Sequence, residues 1–431
     1  MEQFWKAKKH LAASLSVGWF LAFRQIRRSS RWTTGLIVFI MVLTYLNLVV
    51  VSGLLVGIIA GSFNQFQDKY AGQVLVTPIT GEDYIENSLS LVGFLEHHPH
   101  VTALSARHVV GASVLGTLDD LPKKNEEANK VAAQIVGLTI ANEEAVTGLS
   151  RSVIKGTMLS EGQDGYIVIG QNLLRKYSSF ADADIPGLTL LNDVDVGSRV
   201  KVSVTTGSGV ISQDFIVKGI LKSKVAQIST SMFIADREFR RMLSVNQGLY
   251  QEIAIRTDKN YAPTLVEEIE RFQGSYATRV QTAEDAVPSF LRDIETTFGI
   301  LGNALSSIAL VVASITIFIV IFINALTKRK FIGIMKGIGV APRAIQFSYV
   351  LQAFFYGLIG SAIGLFLTFG VLKPYFAAHP IDFPFSDGIL VATPESAAVR
   401  VLILLVVTIL AGFIPARIIV RKNTLDSILG R

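Results

Sequence analysis

The sequence has no cysteine among its 431 residues. Disulfides and thiolate metal or redox sites are therefore excluded, although this absence fixes no compartment. Charge is also scarce. Asp, Glu, Lys and Arg together make 17% of the chain, against ~25% in an average soluble domain. They are missing altogether from Trp32 to Gln67 and from Thr296 to Thr327. Several catalytic signatures are missing too. No Gly-x-x-x-x-Gly-Lys-Ser/Thr run exists to cradle nucleotide phosphates, and there is no His-Glu-x-x-His. No Gly-x-Ser-x-Gly elbow is present either. Apart from Arg400, the long apolar runs hold no charged side chain at membrane depth. Such charges mark ion and proton paths, so an ion-driven carrier is disfavoured.

Half of the residues are hydrophobic, and they are concentrated in long runs, which points to a membrane protein. The net charge of +6 implies no nucleic acid, because the basic residues stand beside the apolar runs, where the positive-inside rule accounts for them. The N-terminus does not read as a cleavable signal, since the first long apolar run starts only near Trp32.

One polar stretch, Leu326–Ile345, organises the rest. It holds Lys328, Arg329, Lys330, Lys336 and Arg343 and no acid, between two long apolar segments. An apolar ladder, Phe331, Ile332, Ile334, Met335 and Ile338, is punctuated by Gly333, Gly337 and Gly339. Basic residues at a span end stay on the cytoplasmic side, so the stretch reads as a short amphipathic cytosolic loop, placed to receive a push from a cytosolic partner. A plain loop that only orients the chain fits the charges equally. Gly339 is expected to end a helix with positive φ.

In chain order, residues 1–31 read as a cytosolic interfacial helix (Phe4–Phe23) and basic flank. Residues 32–67 form the first transmembrane helix and a stalk. This run of about 36 residues would be roughly 54 Å long as helix, more than a ~30 Å hydrocarbon core needs. Residues 68–295 read as an extracytoplasmic α+β domain inserted between the first and second spans. Strands are expected at Gln73–Thr77, Arg107–Leu115, Val131–Leu138, Tyr166–Ile169, Arg199–Val204, Asp214–Leu221 and Glu252–Arg256. Helices are expected at Gln171–Tyr177, Asp236–Leu243 and Pro263–Phe272. Leu118–Lys130 reads as a charged, exposed loop. Residues 296–327 are a second stalk and span, 328–343 the cytosolic loop, 344–373 the third span and 374–395 an outer loop. Residues 396–416 are the fourth span, whose Arg400 is expected to snorkel to the headgroups, and 417–431 a cytosolic tail. The fold class is an α-helical membrane protein with four transmembrane helices plus that α+β domain.

Within the spans, Gly53, Gly57 and Gly61 recur every fourth residue, and Gly357, Gly360 and Gly364 mark the third span. Both sets are small-residue faces expected to pack closely on helices. Asn47, Asn303, Asn324 and Gln352 are expected to hold helices together by hydrogen bonds. His97, His98 and His100 cluster around Pro99, where capping or solvation is expected over metal binding.

The run Thr327-Lys-Arg-Lys…Ile332-Gly-Ile-Met-Lys-Gly-Ile-Gly-Val340…Arg343 resembles the signature of FtsX-like ABC transporter permeases, with Phe331 where members usually carry an acid. The basic flank Phe23–Arg31 and the exit Gly412…Pro415-Ala-Arg417 are similar to the family's pattern too, with Thr424 in place of a common proline. Gly165-Tyr-Ile-Val-Ile-Gly-Gln-Asn-Leu-Leu, Val196-Gly-Ser-Arg-Val-Lys-Val and Phe215-Ile-Val-Lys-Gly-Ile resemble the large external domain of MacB-type and lipoprotein-releasing (Lol) permeases. The resemblance implies that Phe331, Ile332, Ile334, Met335, Gly337, Ile338 and Gly339 form a coupling helix docking on a separate ABC ATPase subunit. It also implies that ATP and Mg bind that subunit, with no cofactor or catalytic residue in this chain. A second permease chain, identical or not, is implied. So are an inner-membrane location with both termini cytoplasmic, an amphiphilic cargo such as a lipoprotein, lipid-like molecule, peptide or drug, and an extracytoplasmic adaptor or cargo protein. Two other readings stay open: a signalling subunit that activates an envelope hydrolase without transport, and an ATP-independent membrane anchor.

Overall fold

A computed structural model describes residues 16–28, 31–116, 129–183, 189–246, 248–274, 276–383 and 386–421. The start of the expected interfacial helix, most of the loop Leu118–Lys130 and the tail from Lys422 lie outside the described residues. The chain divides into two units: Met1–Ile58 with Asp293–Ile381 and Gly388–Arg431, and Ile59–Arg292 with Asp382–Asp387.

Four helices are long and apolar enough to cross a membrane: Arg31–Ala71, Ser289–Thr327, Pro342–Ala378 and Pro394–Val420, of 41, 39, 37 and 27 residues. At 1.5 Å per residue the first three reach roughly 55–60 Å. The first contains π-helical turns at Asn47–Val51 and Gln67–Ala71, and the third one at Thr368–Leu372.

In the helical unit the third span lies between the first and the fourth. Its glycines are the reason it can. An ideal Cβ on Gly360 would overlap Met41, and one on Gly364 would enter the Tyr45 ring. A Cβ on Gly357 would press on Leu405 and Thr408 of the fourth span. From the fourth span, a Cβ on Gly412 would come 2.7 Å from the Ala353 Cβ. Close backbone approach of this kind substitutes for the hydrophobic drive that lipid cannot supply. The core so formed contains Met41, Tyr349, Ala353 and Ala416. The second span adds Ala313, Ile317, Ile321 and Ala325, spaced four apart on one helix face. Its other faces, with Ile308, Val311, Ile315, Ile319 and Ile323, are exposed and equally apolar.

The expected helix contacts of the first span differ from what is found. Gly53 and Gly57 face the extended backbone of Leu390–Val391 and Ile389, and the Val391 amide donates to the Gly53 carbonyl. In the other unit, Gly61 faces Ser386 and Asp387. The small stripe thus receives extended chain, not a helix. Without a Cβ the glycine face leaves room for extended backbone, and the Gly53 carbonyl gives the Val391 amide an acceptor. Arg400 does not reach outward either: its guanidinium donates to Ser52 Oγ of the first span at 2.6 Å. Gln352 donates to Ser348 O and to Gln25, while Asn303 is exposed and Asn47 Oδ1 is buried without a partner among the described residues.

The other unit is built on a ten-stranded mixed sheet, in the order β10-β1-β9-β2-β3-β8-β5-β7-β4, with β6 joining β2 and β7. The strands are β1 Val74–Pro78, β2 Val101–Leu115, β3 Lys130–Leu138, β4 Val153–Gly156, β5 Tyr166–Gly170, β6 Arg199–Thr206, β7 Gly209–Leu221, β8 Ser231–Ala235, β9 Glu252–Thr257 and β10 Thr278–Thr282. Pairing is antiparallel except β3 with β8 and β5 with β7. One core gathers Ile135, Ile167, Val202, Phe215 and Ile234 with Phe239 of the helix Asp236–Leu243. A second lies where Ser88–Glu96 and Ala262–Gln273 cover β1 and β9, around Leu91, Leu95, Ile255, Leu265 and Ile269.

The expected helix Gln171–Tyr177 is absent. Only a 3-10 turn, Gln171–Leu173, forms, and Leu174 turns extended to pair with Leu191. Leu173 and Leu174 are both buried in the first core, and that burial overrides the local helical pattern.

Candidate functional site

The polar stretch between the second and third spans contains its own helix, Arg329–Gly337, distinct from the span that ends at Thr327. The break falls at Lys328, whose φ of −96° and ψ of 10° leave the helical region. The far end closes on Gly339 at φ +92°. There the Val340 amide donates to Met335 O at 2.9 Å and the Gly339 amide to Lys336 O at 3.1 Å. These two bonds are the Schellman arrangement, which needs a left-handed residue and satisfies the last carbonyls. Pro342 then opens the third span.

The apolar ladder splits between two faces of this helix. Ile332 and Met335, only 1% and 5% exposed, point into the core of the helical unit beside Ile345, Ile419 and Val420. Lys336 Nζ adds a bond of 3.2 Å to Val420 O at the end of the fourth span. Phe331, Ile334 and Ile338 are 57%, 52% and 75% exposed, and their i, i+3, i+7 spacing makes one outward stripe. The resemblance implies a docking surface that includes Ile332, Met335 and Ile338. The structure corrects that: Ile332 and Met335 anchor the helix from within, and the outward residues are the other three. Gly337 is exposed beside them and Gly333 is buried.

A second constellation lies in the sheet unit and was not foreseen. Arg107 of β2 is 2% exposed. Its Nε and Nη2 both bond the Glu143 carboxylate at 2.8 Å, and Nη2 also donates to Tyr70 O at 2.7 Å. Nη1 is 3.4 Å from Glu252, and the guanidinium stands 4.5 Å from the Tyr70 ring centre. Ser105 and Thr147 donate to Glu143, and the Tyr70 hydroxyl to Glu252. The cluster offers no free nucleophile, and it ties the turn Gln67–Ala71 to the sheet. Nothing in the spacing announced it, since an inward arginine on a strand breaks the alternation that marks a core face.

The three histidines are each engaged locally. His97 meets Gly93 O, His98 Nε2 lies 3.0 Å from Glu268, and His100 stacks on Tyr261. No group of three or more potential metal-ligating His, Cys, Asp or Glu occurs among the described residues. Elsewhere Asp195 is held well below the usual carboxylate range by Lys155 and Lys176.

Residues 303–424 match the family profile of the FtsX-like permease C-terminal domain. The chain is similar to the ABC transporter permease YtrF of Bacillus subtilis, with 25% identity over 41% of this chain and 41% of that protein. It is also similar to an uncharacterised ABC transporter permease of Methanocaldococcus jannaschii, with 26% identity over 55% of this chain and 58% of that protein. The matches thus span from about two fifths to under three fifths of these relatives' lengths. Among solved structures, the periplasmic region of MacB from Actinobacillus actinomycetemcomitans aligns with 49% of this chain and 89% of its own length, at 12% identity and a TM-score of 0.33. A score that low assigns nothing. From Asn303 to Thr424, through most of the second span, the short helix with its outward stripe and Schellman turn, and the third and fourth spans, this chain carries an FtsX-like permease C-terminal domain and is a membrane-embedded relative of ABC transporter permeases.

Proposed function

We propose that this chain is the permease subunit of an ABC transporter complex, driven through the helix Arg329–Gly337 by a separate ATPase subunit. The observation that carries the reading is the two-sidedness of that helix. Its inner face is packed into the helical unit, and its outer face presents Phe331, Ile334 and Ile338 to whatever docks there. A push on the outer face would be delivered to a packed interior, which shifts as a body and does not deform smoothly. The basic residues of the same stretch favour a cytoplasmic location for it, which would leave the sheet unit outside. The overlong first and second spans would carry the motion to that domain, which would extract or expel an amphiphilic cargo. The exposed apolar face of the second span suits lipid or a second permease chain.

The test is Ile334→Glu in the full chain, co-expressed with a candidate ABC ATPase. A carboxylate buried unpaired in the docked surface costs several kcal/mol. Co-purified ATPase should fall by roughly tenfold or more, with ATP turnover, while membrane insertion stays normal. Arg343→Gln, which changes only a nearby exposed charge, should assemble like the wild type. Normal assembly and turnover in Ile334→Glu would reject the docking role and leave a loop that merely orients the chain.

A further inference from the structure

A groove of about 710 Å³ in the helical unit lies between helical residues 16–28 and the stretch from Thr327 to Phe331. Four of its lining side chains are cations: Arg24 and Arg28 from one side, Lys328 and Lys330 from the other. Phe20 and Phe331 supply apolar wall. Among the described residues no carboxylate forms an ion pair with any of the four. Arg24 instead stands 5.9 Å from the Phe20 ring. The groove is held open by well-packed neighbours. Gly18 abuts Phe347, Trp19 meets Phe355 edge-on at 5.5 Å, and Gln25 accepts from Gln352.

Its depth is fixed by the spans. The first begins at Arg31 and the second ends at Thr327, so the cations stand where hydrocarbon gives way to headgroups. We infer that this groove binds one anionic glycerophospholipid, its phosphate against Arg24, Arg28, Lys328 and Lys330 and its upper acyl chains along Phe20 and Phe331. Charge complementarity selects an anion, and the apolar walls at the hydrocarbon edge select a lipid headgroup over free phosphate. Four cations around one cleft, none paired with a carboxylate among the described residues, would otherwise repel one another, and basic pockets on the cytoplasmic side of spans suit such headgroups. The groove shares Phe331 with the outward stripe, but Ile334 and Ile338 do not line it, and lipid retention measured without the ATPase is read separately from docking.

The experiment uses the purified full chain in detergent, without any ATPase, titrated with phosphatidylglycerol, phosphatidylcholine or inorganic phosphate and followed by native mass spectrometry. One phosphatidylglycerol should be retained at a concentration roughly tenfold or more below that needed for phosphatidylcholine, and millimolar phosphate should not displace it. Arg24→Gln with Lys330→Gln should weaken retention by about thirtyfold. Arg151→Gln with Lys201→Gln, the same charge change in the sheet unit, should leave it unchanged. A photoactivatable phosphatidylglycerol should label peptides from 16–28 or 327–331. Equal retention of the two lipids would overturn the inference. Displacement by free phosphate, labelling elsewhere, or full binding by the first double variant would do the same. If that variant misfolds, the wild-type selectivity and the labelled peptide still decide.

Discussion

Arg107→Ala is expected to destabilise the sheet unit by about 3–5 kcal/mol, the cost of removing one partner from a buried ion cluster. Total stabilities of domains are only ~5–15 kcal/mol, so a large share of the folded state is at stake. The substitution strands Glu143, 4% exposed, with only Ser105 and Thr147 as donors. It also releases the Tyr70 carbonyl that Arg107 holds at 2.7 Å. Arg107→Lys should rescue little, because a single ammonium cannot make the bidentate contact to Glu143 and reach Tyr70 O together. Replacing Arg107 and Glu143 together with apolar residues should cost less than Arg107→Ala alone, since no charge is left unpaired. Thermal melting of residues 59–292, followed by far-ultraviolet circular dichroism, reads all three. An Arg107→Ala melting temperature equal to the wild type would show that the cluster contributes nothing.

Gly360→Leu and Gly364→Leu should each prevent the third span from seating on the first. The atoms in the way are Met41 and Tyr45, both fully buried and unable to withdraw without emptying the core beside them. Overpacking of a filled interior costs about 1–3 kcal/mol, and more where backbone must move. At Gly360 the obstructing atoms include Met41 backbone, so that variant should be the worse. Gly299→Leu on the second span is the control, because a side chain there meets nothing within 4 Å. Monodisperse yield and melting temperature in detergent should fall for the first two variants and hold for Gly299→Leu. Equal behaviour of all three would mean that the close approach is not what joins these helices.

Much of the architecture was legible because membranes impose a simple code. Charge-free runs such as Thr296–Thr327 can hardly be anything but spans, and they fall inside the helices found. Strands β2, β6 and β7 were legible through alternation, although each extends beyond one of its expected ends. Strands β4 and β10, four and five residues long, were not foreseen; neither has the apolar run that marks β1 and β5. Gln171–Tyr177 failed because its helical pattern was local while the burial of Leu173 and Leu174 was not. The short helix shows the limit most clearly. Phe331, Ile332, Ile334, Met335 and Ile338 are apolar on two faces, so periodicity marks a helix without saying which face the spans claim. Only the packed core around Ile345 and Val420 decides that Ile332 and Met335 turn inward. Likewise the spacing of Gly53, Gly57 and Gly61 announces close approach but not whether helix or extended chain makes it.

The most direct test of the coupling surface uses the absence of cysteine, which makes every introduced thiol unique. Ile334→Cys and Met335→Cys, neighbours in sequence on opposite faces of Arg329–Gly337, would each be assembled with the ATPase subunit. Both would then be treated with a short bifunctional reagent that joins a thiol to a nearby amine. An ATPase adduct from Ile334→Cys and none from Met335→Cys is the result expected of a helix that docks by its outward stripe. An adduct from Met335→Cys alone, or from neither position in an assembled complex, would contradict it.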